Sequence, residues 1–237
     1  SSKILRFSIS KRIDLIENLF NFFKNIELIL RELGKKKIDF LGVRGKEHSG
    51  YSVILGSKKN NVTILVYKGI NQTLKYNEIN VRKLNAKCFY FSSMIKDSLE
   101  TQKKLANYAK KKGIFIAYNP SSYQTKKGIN HIKPILKKCR FLILNEEEAN
   151  QLVEGGVRRA LKVLWGLGPE VVCITKGKQG SEAFDGKHIY KVFPHRVKCA
   201  ETTGAGDAFG SGFVTGMLIK NNIEFALALG ATNVESV

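Results

Sequence analysis

The sequence predicts an α/β protein: a mostly parallel sheet with helices on both faces, preceded by a small extra pair of strands. Three observations carry this expectation. From Cys88 onward, short apolar runs ("CFYFS", "IFIAYNP", "FLILN", "VVCIT") alternate with helical stretches, the pattern of parallel strands joined by crossover helices. Before Cys88, "GYSVILGSKKNNVTILVYKG" (Gly50–Gly69) reads as two β-rich strands around a polar turn at Lys58–Asn61. Third, polar-to-glycine stretches follow the apolar runs at Asn119, at Asn145 and at "TKGKQG" (Thr175–Gly180). Those are the carboxyl ends of the strands, where such sheets bind ligands.

Each element has its own signal. In 12–33 apolar residues such as Ile13, Ile16, Leu19, Phe23, Ile26, Leu30 and Leu33 recur at three- and four-residue steps, which predicts a helix that Gly34 can end. Ser98–Lys112 reads as a helix with Ser98 as N-cap. A strand ending at Pro120 and a helix around His131–Lys138 follow. Then come strand Phe141–Asn145, helices Glu146–Glu154 and Val157–Leu167, and strand Val171–Thr175. "EAFDGKHIYKVF" reads as a hairpin turning at Asp185-Gly186. Beyond it, Ala208, Phe209, Phe213, Met217 and Leu218 continue a helix whose small residues Gly210, Ser211, Gly212 and Gly216 allow close approach to the sheet.

Composition narrows the function. The chain has 237 residues, 43% hydrophobic and 25% charged, and no apolar run reaches the roughly 18 residues that span a bilayer. The first twenty residues lack the apolar core and small-residue cleavage site of a signal peptide. Cys88, Cys139, Cys173 and Cys199 match no zinc spacing and read as reduced thiols of a cytoplasmic protein. The net charge of +20 invites a nucleic-acid reading, yet only nine of the 40 basic residues are arginine. Base readout and bidentate phosphate contacts favour arginine, so no specific nucleic-acid partner is expected. His48, His131, His188 and His195 are isolated and read as surface or structural residues.

The chemistry concentrates in "ETTGAGDAFG" (Glu201–Gly210). Gly204 and Gly206 lack a Cβ, so the backbone can present its N–H groups, and a helix begins directly after them. A helix start attracts anions, yet Asp207 puts a carboxylate there. By itself the pattern also fits an ordinary capped helix. "NEEE" some 60 residues upstream equally reads as an N-capped helix with acids in its first turn. No GxxxxGK[ST] occurs, which excludes a P-loop enzyme.

Taken in order, "NEEE", "TKGKQG" and "TTGAGDAF" resemble the ribokinase (pfkB) family of carbohydrate and nucleoside kinases, and the likeness runs from about Phe40 to Val237, including "NPSS" and "ALALGATNVES". It implies a three-layer α/β/α ribokinase-like fold with a mostly parallel central sheet and a small β lid, within a single domain. The lid strands would lie in about 40–75 and the α/β core in 85–237. It further implies an ATP-dependent phosphotransferase acting on a hydroxymethyl group of a sugar or nucleoside. Gly204, Ala205 and Gly206 would form the anion hole, and Asp207 would be the base that receives the hydroxyl proton. Asn145 and Glu148 would match the Asn-x-x-Glu element that organises Mg2+ and phosphate. Thr175, Gly177 and Gly180 would line the nucleotide, with Asn233 near adenine. The implied cofactors are ATP and Mg2+, with a monovalent cation such as K+. The implied partners are a small-molecule substrate and a second copy of the chain joined through the lid, with no membrane.

Two departures qualify the resemblance. Glu201 stands where the family usually has Asp. Residues 1–24 show neither the sugar-binding aspartate nor the Gly-Gly element that open the family's sequences. The chain therefore reads as a fragment or divergent member with its phosphoryl-transfer half intact. The alternative is a non-catalytic or truncated nucleotide-binding relative.

Overall fold

A computed structural model describes residues 26–43, 49–56, 62–193 and 204–235. They group into two compact units, one drawn from Ser1–Leu84 and Met94–Thr101, the other from Asn85–Ser93 and Gln102–Val237.

The first unit contains α1 (Ile26–Lys35) and the antiparallel pair β1 (Ser49–Gly56) and β2 (Val62–Gly69). The expected helix over 12–33 is described only from Ile26, and its earlier part lies outside the described residues. Gly34 does not end it. The stop falls at Lys37, whose left-handed φ of 54° lets the N–H of Ile38 return to the Leu33 carbonyl at 2.9 Å. In the hairpin Tyr51 faces Tyr67 and Val53 faces Leu65; the expected turn at Lys58–Asn61 lies outside the described residues. Ser98 is not the N-cap of its helix. The helix, α2 (Lys96–Lys112), starts two residues earlier, and the Ser98 hydroxyl accepts the Leu74 N–H at 2.9 Å while Thr101 donates to the Leu74 carbonyl at 2.7 Å. A distant backbone segment has claimed the hydroxyl that the local sequence assigned to a cap.

The second unit is built on one six-stranded sheet in the order β3 (Cys88–Phe91), β4 (Phe115–Tyr118), β5 (Phe141–Asn145), β6 (Val171–Thr175), β7 (Ser181–Phe184), β8 (Ile189–Val192). The first four strands are parallel; β7 and β8 continue it antiparallel. The hairpin at Asp185-Gly186 thus belongs to the main sheet. Asp185 Oδ1 closes its turn by accepting the N–H groups of Lys187 and His188, both at 2.7 Å. Crossovers are made by α3 (Ser122–Thr125), α4 (Ile129–Leu136), α5 (Glu146–Leu152) and α6 (Val157–Trp165).

Two long helices, α7 (Ala205–Lys220) and α8 (Ile223–Val234), cover one face of the sheet. Their Phe209, Phe213, Val214, Met217, Ala226 and Leu227 pack with Ala117, Phe141, Ile143, Val171, Cys173 and Ala183 in a single apolar core. The alternate residues Leu142, Leu144, Val172 and Ile174 turn to the other face and are equally buried. α7 and α8 meet backbone to backbone: a Cβ on Gly216 would lie 2.6 Å from the Ala226 Cα, and one on Gly212 would lie 2.9 Å from the Gly230 Cα. Cys88, Cys139 and Cys173 are free thiols, and burial pushes all three above the ordinary thiol value.

Candidate active site

Asn145 is the last residue of β5 and the N-cap of α5. Its Oδ1 accepts the Glu148 N–H at 2.8 Å, and Glu148 Oε2 accepts the Asn145 N–H at 3.1 Å. This reciprocal capping box satisfies two donors that a helix start otherwise leaves open. It also draws Glu148 inward, to 7% exposure. Burial raises its carboxyl above the ordinary value, against the opposing bonds from the Asn145 N–H and from Ser122, whose hydroxyl donates to Oε1 at 3.4 Å.

Thr175 ends β6 directly beside Asn145. The chain then turns through Lys176–Gly180 into β7, and Gly177 and Gly180 take left-handed φ values of 53° and 86°, which suit glycine. Lys176 N–H to the Gly180 carbonyl, at 2.7 Å, closes the turn. Sequence reasoning missed what braces it. The Lys176 ammonium meets Glu182 Oε1 at 2.6 Å, and Lys191 meets the same oxygen at 3.2 Å. Glu182 and Lys191 are directly opposite in the β7–β8 register, so only strand pairing brings this triad together. Burial would raise the Glu182 carboxyl, but hydrogen bonds and charge from the two lysines hold it below the ordinary value.

Gly204, with a left-handed φ of 88°, leads into α7 and supplies no side-chain cap. The first-turn N–H groups of Ala205, Gly206 and Asp207 therefore have no intrahelical acceptor. A Cβ on Gly206 would meet nothing within 4 Å among the described residues, and Asp207 is exposed beside it. One turn on, the hydroxyl of Tyr90 from β3 packs against Gly210. That contact puts the start of α7 next to the carboxyl end of β3. Glu201, Thr202 and Thr203 lie outside the described residues. Asn233 lies on α8, where its Nδ2 donates to the Ala208 carbonyl at 2.6 Å and to Ser211 Oγ at 3.2 Å, tying α8 to the first turns of α7.

The structure thus places Asn145 and Thr175 on adjoining strand ends, Glu148 in the first turn of α5, and Gly177 and Gly180 in the turn after β6. Gly204, Ala205, Gly206 and Asp207 form the start of the helix that packs on the same sheet. No group of three His, Cys, Asp or Glu side chains able to hold a metal occurs among the described residues, nor any helix long and apolar enough to cross a membrane.

A mostly parallel sheet with helices on both faces is the ribokinase-like α/β fold. Residues 25–236 match the pfkB family of carbohydrate kinases, and the chain belongs to that family. It is 31% identical over 199 residues to an uncharacterized sugar kinase of Archaeoglobus fulgidus, covering 81% of this chain and 77% of that one. It is 25% identical over 225 residues to an ATP-dependent 6-phosphofructokinase of Thermoanaerobacterium thermosaccharolyticum, covering 89% and 70%. The fold is similar to that of a ribokinase from Thermotoga maritima, with a TM-score of 0.77 and 22% identity over 88% of this chain and 69% of that one.

Proposed function

We propose that the protein is an ATP-dependent kinase that transfers the γ-phosphoryl group to a hydroxymethyl group of a sugar or nucleoside, with Asp207 as the base. The observation that carries this reading is the start of α7, whose first-turn N–H groups have no intrahelical acceptor, with nothing among the described residues within 4 Å of a Cβ on Gly206 and an exposed carboxylate in the same turn. Such a turn separates the two jobs. The backbone of Gly204, Ala205 and Gly206 cradles the transferring group, and the Asp207 side chain faces the incoming hydroxyl. Phosphoryl transfer is catalysed mainly by positioning and charge stabilisation, so an exposed carboxylate is base enough for a proton that leaves late.

Family membership supports ATP and Mg2+ as cofactors, and the residues fit both. Thr175, Gly177 and Gly180 offer a glycine-lined turn to the nucleotide, and Asn233, beside the first turns of α7, lies toward the adenine. Glu148 already accepts protein hydrogen bonds on both oxygens. It would therefore meet Mg2+ through water, as suits an ion that keeps most of its hydration and binds few carboxylates directly. A monovalent cation such as K+ beside the 201–203 segment, and a homodimer joined through β1 and β2, belong to the same reading. Leu65, Val66 and Tyr67 of β2 are each about half exposed, which supports the second. The free thiols suit a reducing compartment such as the cytoplasm.

The test is ATP-dependent transfer to D-ribose, D-fructose, fructose 6-phosphate, adenosine and cytidine by wild type and Asp207→Asn. A general base is worth about 10²–10⁴-fold, so D207N should lose that much kcat with little change in the KM for ATP. Full activity in D207N would refute the assignment. A wild type that binds ATP but transfers to no acceptor would favour the non-catalytic, nucleotide-binding reading.

A further inference from the structure

Tyr90 takes no part in the chemistry above, yet it is fixed next to it. A Cβ built on Gly210 would overlap the Tyr90 hydroxyl and lie 3.3 Å from the ring carbon that carries it. Helical side chains lean toward the helix N-terminus, so the place of a residue 210 side chain is above the preceding turn. The phenol therefore sits over the turn of α7 that starts at Asp207, three residues earlier.

The ends of two strands hold it there. Asn119, just beyond β4, hydrogen-bonds the Tyr90 hydroxyl, and the Asn119 N–H is itself fixed to the Phe91 carbonyl at 2.8 Å. Burial, and after it the charge of Asp207, push the phenol up to about 12, so it stays a neutral O–H throughout the working range of an enzyme. A phenol has one donor and two acceptor positions, and Asn119 uses one of the three. The residue keeps 38% exposure. A polyol beside Asp207 would present further hydroxyls next to the one that reacts.

We infer that Tyr90 is an acceptor-positioning residue, hydrogen-bonding a hydroxyl of the sugar or nucleoside beside the one that Asp207 deprotonates. The inference rests on the reading of Asp207 as the base. Gly210 belongs to the same device, because any side chain there would expel the phenol oxygen.

The experiment uses steady-state kinetics with whichever of D-ribose, D-fructose, fructose 6-phosphate, adenosine and cytidine the wild type phosphorylates best. Tyr90→Phe should raise the acceptor KM about three- to tenfold, the worth of a neutral hydrogen bond, and leave the KM for ATP unchanged. Gly210→Ala should do the same by displacing the hydroxyl. The double variant Y90F/G210A should be no worse than Y90F, since without the oxygen only ring contacts at 3.3 and 3.5 Å remain. A purely structural role would move both KM values together or shift only the melting temperature, and either result would overturn the inference. Losses that add in the double variant would overturn it as well. If Y90F is silent while D207N is inactive, Tyr90 falls and the base assignment stands. If D207N is fully active, or the wild type transfers to none of the five acceptors, both fall.

Discussion

Replacing Glu148 by glutamine should make the protein more stable and less active at once. The carboxylate is buried, at 7% exposure, and its carboxyl is raised because burial outweighs the bonds from Asn145 and Ser122. A raised carboxyl means that ionisation costs stability: the penalty is absent below the ordinary value of 4.5, grows as pH rises from there to the folded value, and is complete above it. Glutamine removes the charge and keeps the geometry. Its oxygen can still accept the Asn145 N–H, and its NH2 can donate to the Ser122 hydroxyl. The favourable interaction of the charge with the start of α5, about 0.3–1 kcal/mol, is lost, but the desolvation cost goes too. The expected balance is a gain of about 1 kcal/mol, or roughly 2–4 °C in Tm for a chain of this size. Glu148→Ala, by contrast, destroys the capping box and should lose about 0.5–2 kcal/mol. In both variants kcat/KM for MgATP should fall about 10–100-fold, the usual loss when a group that orients a metal's surroundings is removed. Thermal melts at pH 7.5 and pH 4.5 with parallel kinetics decide it. The E148Q gain should be seen at pH 7.5 and vanish at pH 4.5. If E148Q melts as low as E148A, or retains wild-type turnover, Glu148 is only a helix cap.

The other predictions concern the turn and the helix pair. Glu182→Gln leaves the Lys176 ammonium, whose side chain is only 15% exposed, without its carboxylate, and should cost about 1–3 kcal/mol at neutral pH. Because the Glu182 carboxyl is depressed, its contribution is fully present above 4.5 and is lost as pH falls through the folded value below that. Melts of E182Q and wild type should therefore converge in acid, and a gap that persists there would contradict the triad. Gly216→Ala forces a Cβ to 2.6 Å from the Ala226 Cα; overpacking of this kind costs about 1–3 kcal/mol, read as a lower Tm. An unchanged Tm would show that α7 and α8 can separate freely.

Local order was the legible part of this chain. β5 and β6 begin and end at Phe141, Asn145, Val171 and Thr175, as the apolar runs indicate. The Asn145–Glu148 pair is legible because a capping box writes itself at a fixed spacing of three. What the sequence conceals is every role assigned by a distant partner. The Ser98 hydroxyl is taken by Leu74, 24 residues away. Glu182 acquires its lysines through strand register. Tyr90 finds its place in the space left by a glycine 120 positions later. Asn233 spends both amide hydrogens on α7, which no reading of α8 alone would suggest.

The glycine contacts between α7 and α8 also bear on motion. Side chains between two helices can change rotamer and let the helices slip, whereas Gly212, Gly216 and Gly230 leave backbone touching backbone. Backbone contact of this kind resists slipping, which makes the pair a stiff bar. Asp207 sits on that bar, with Asn233 bracing it from the other helix. A change at the start of α7 is therefore felt by α8 as well.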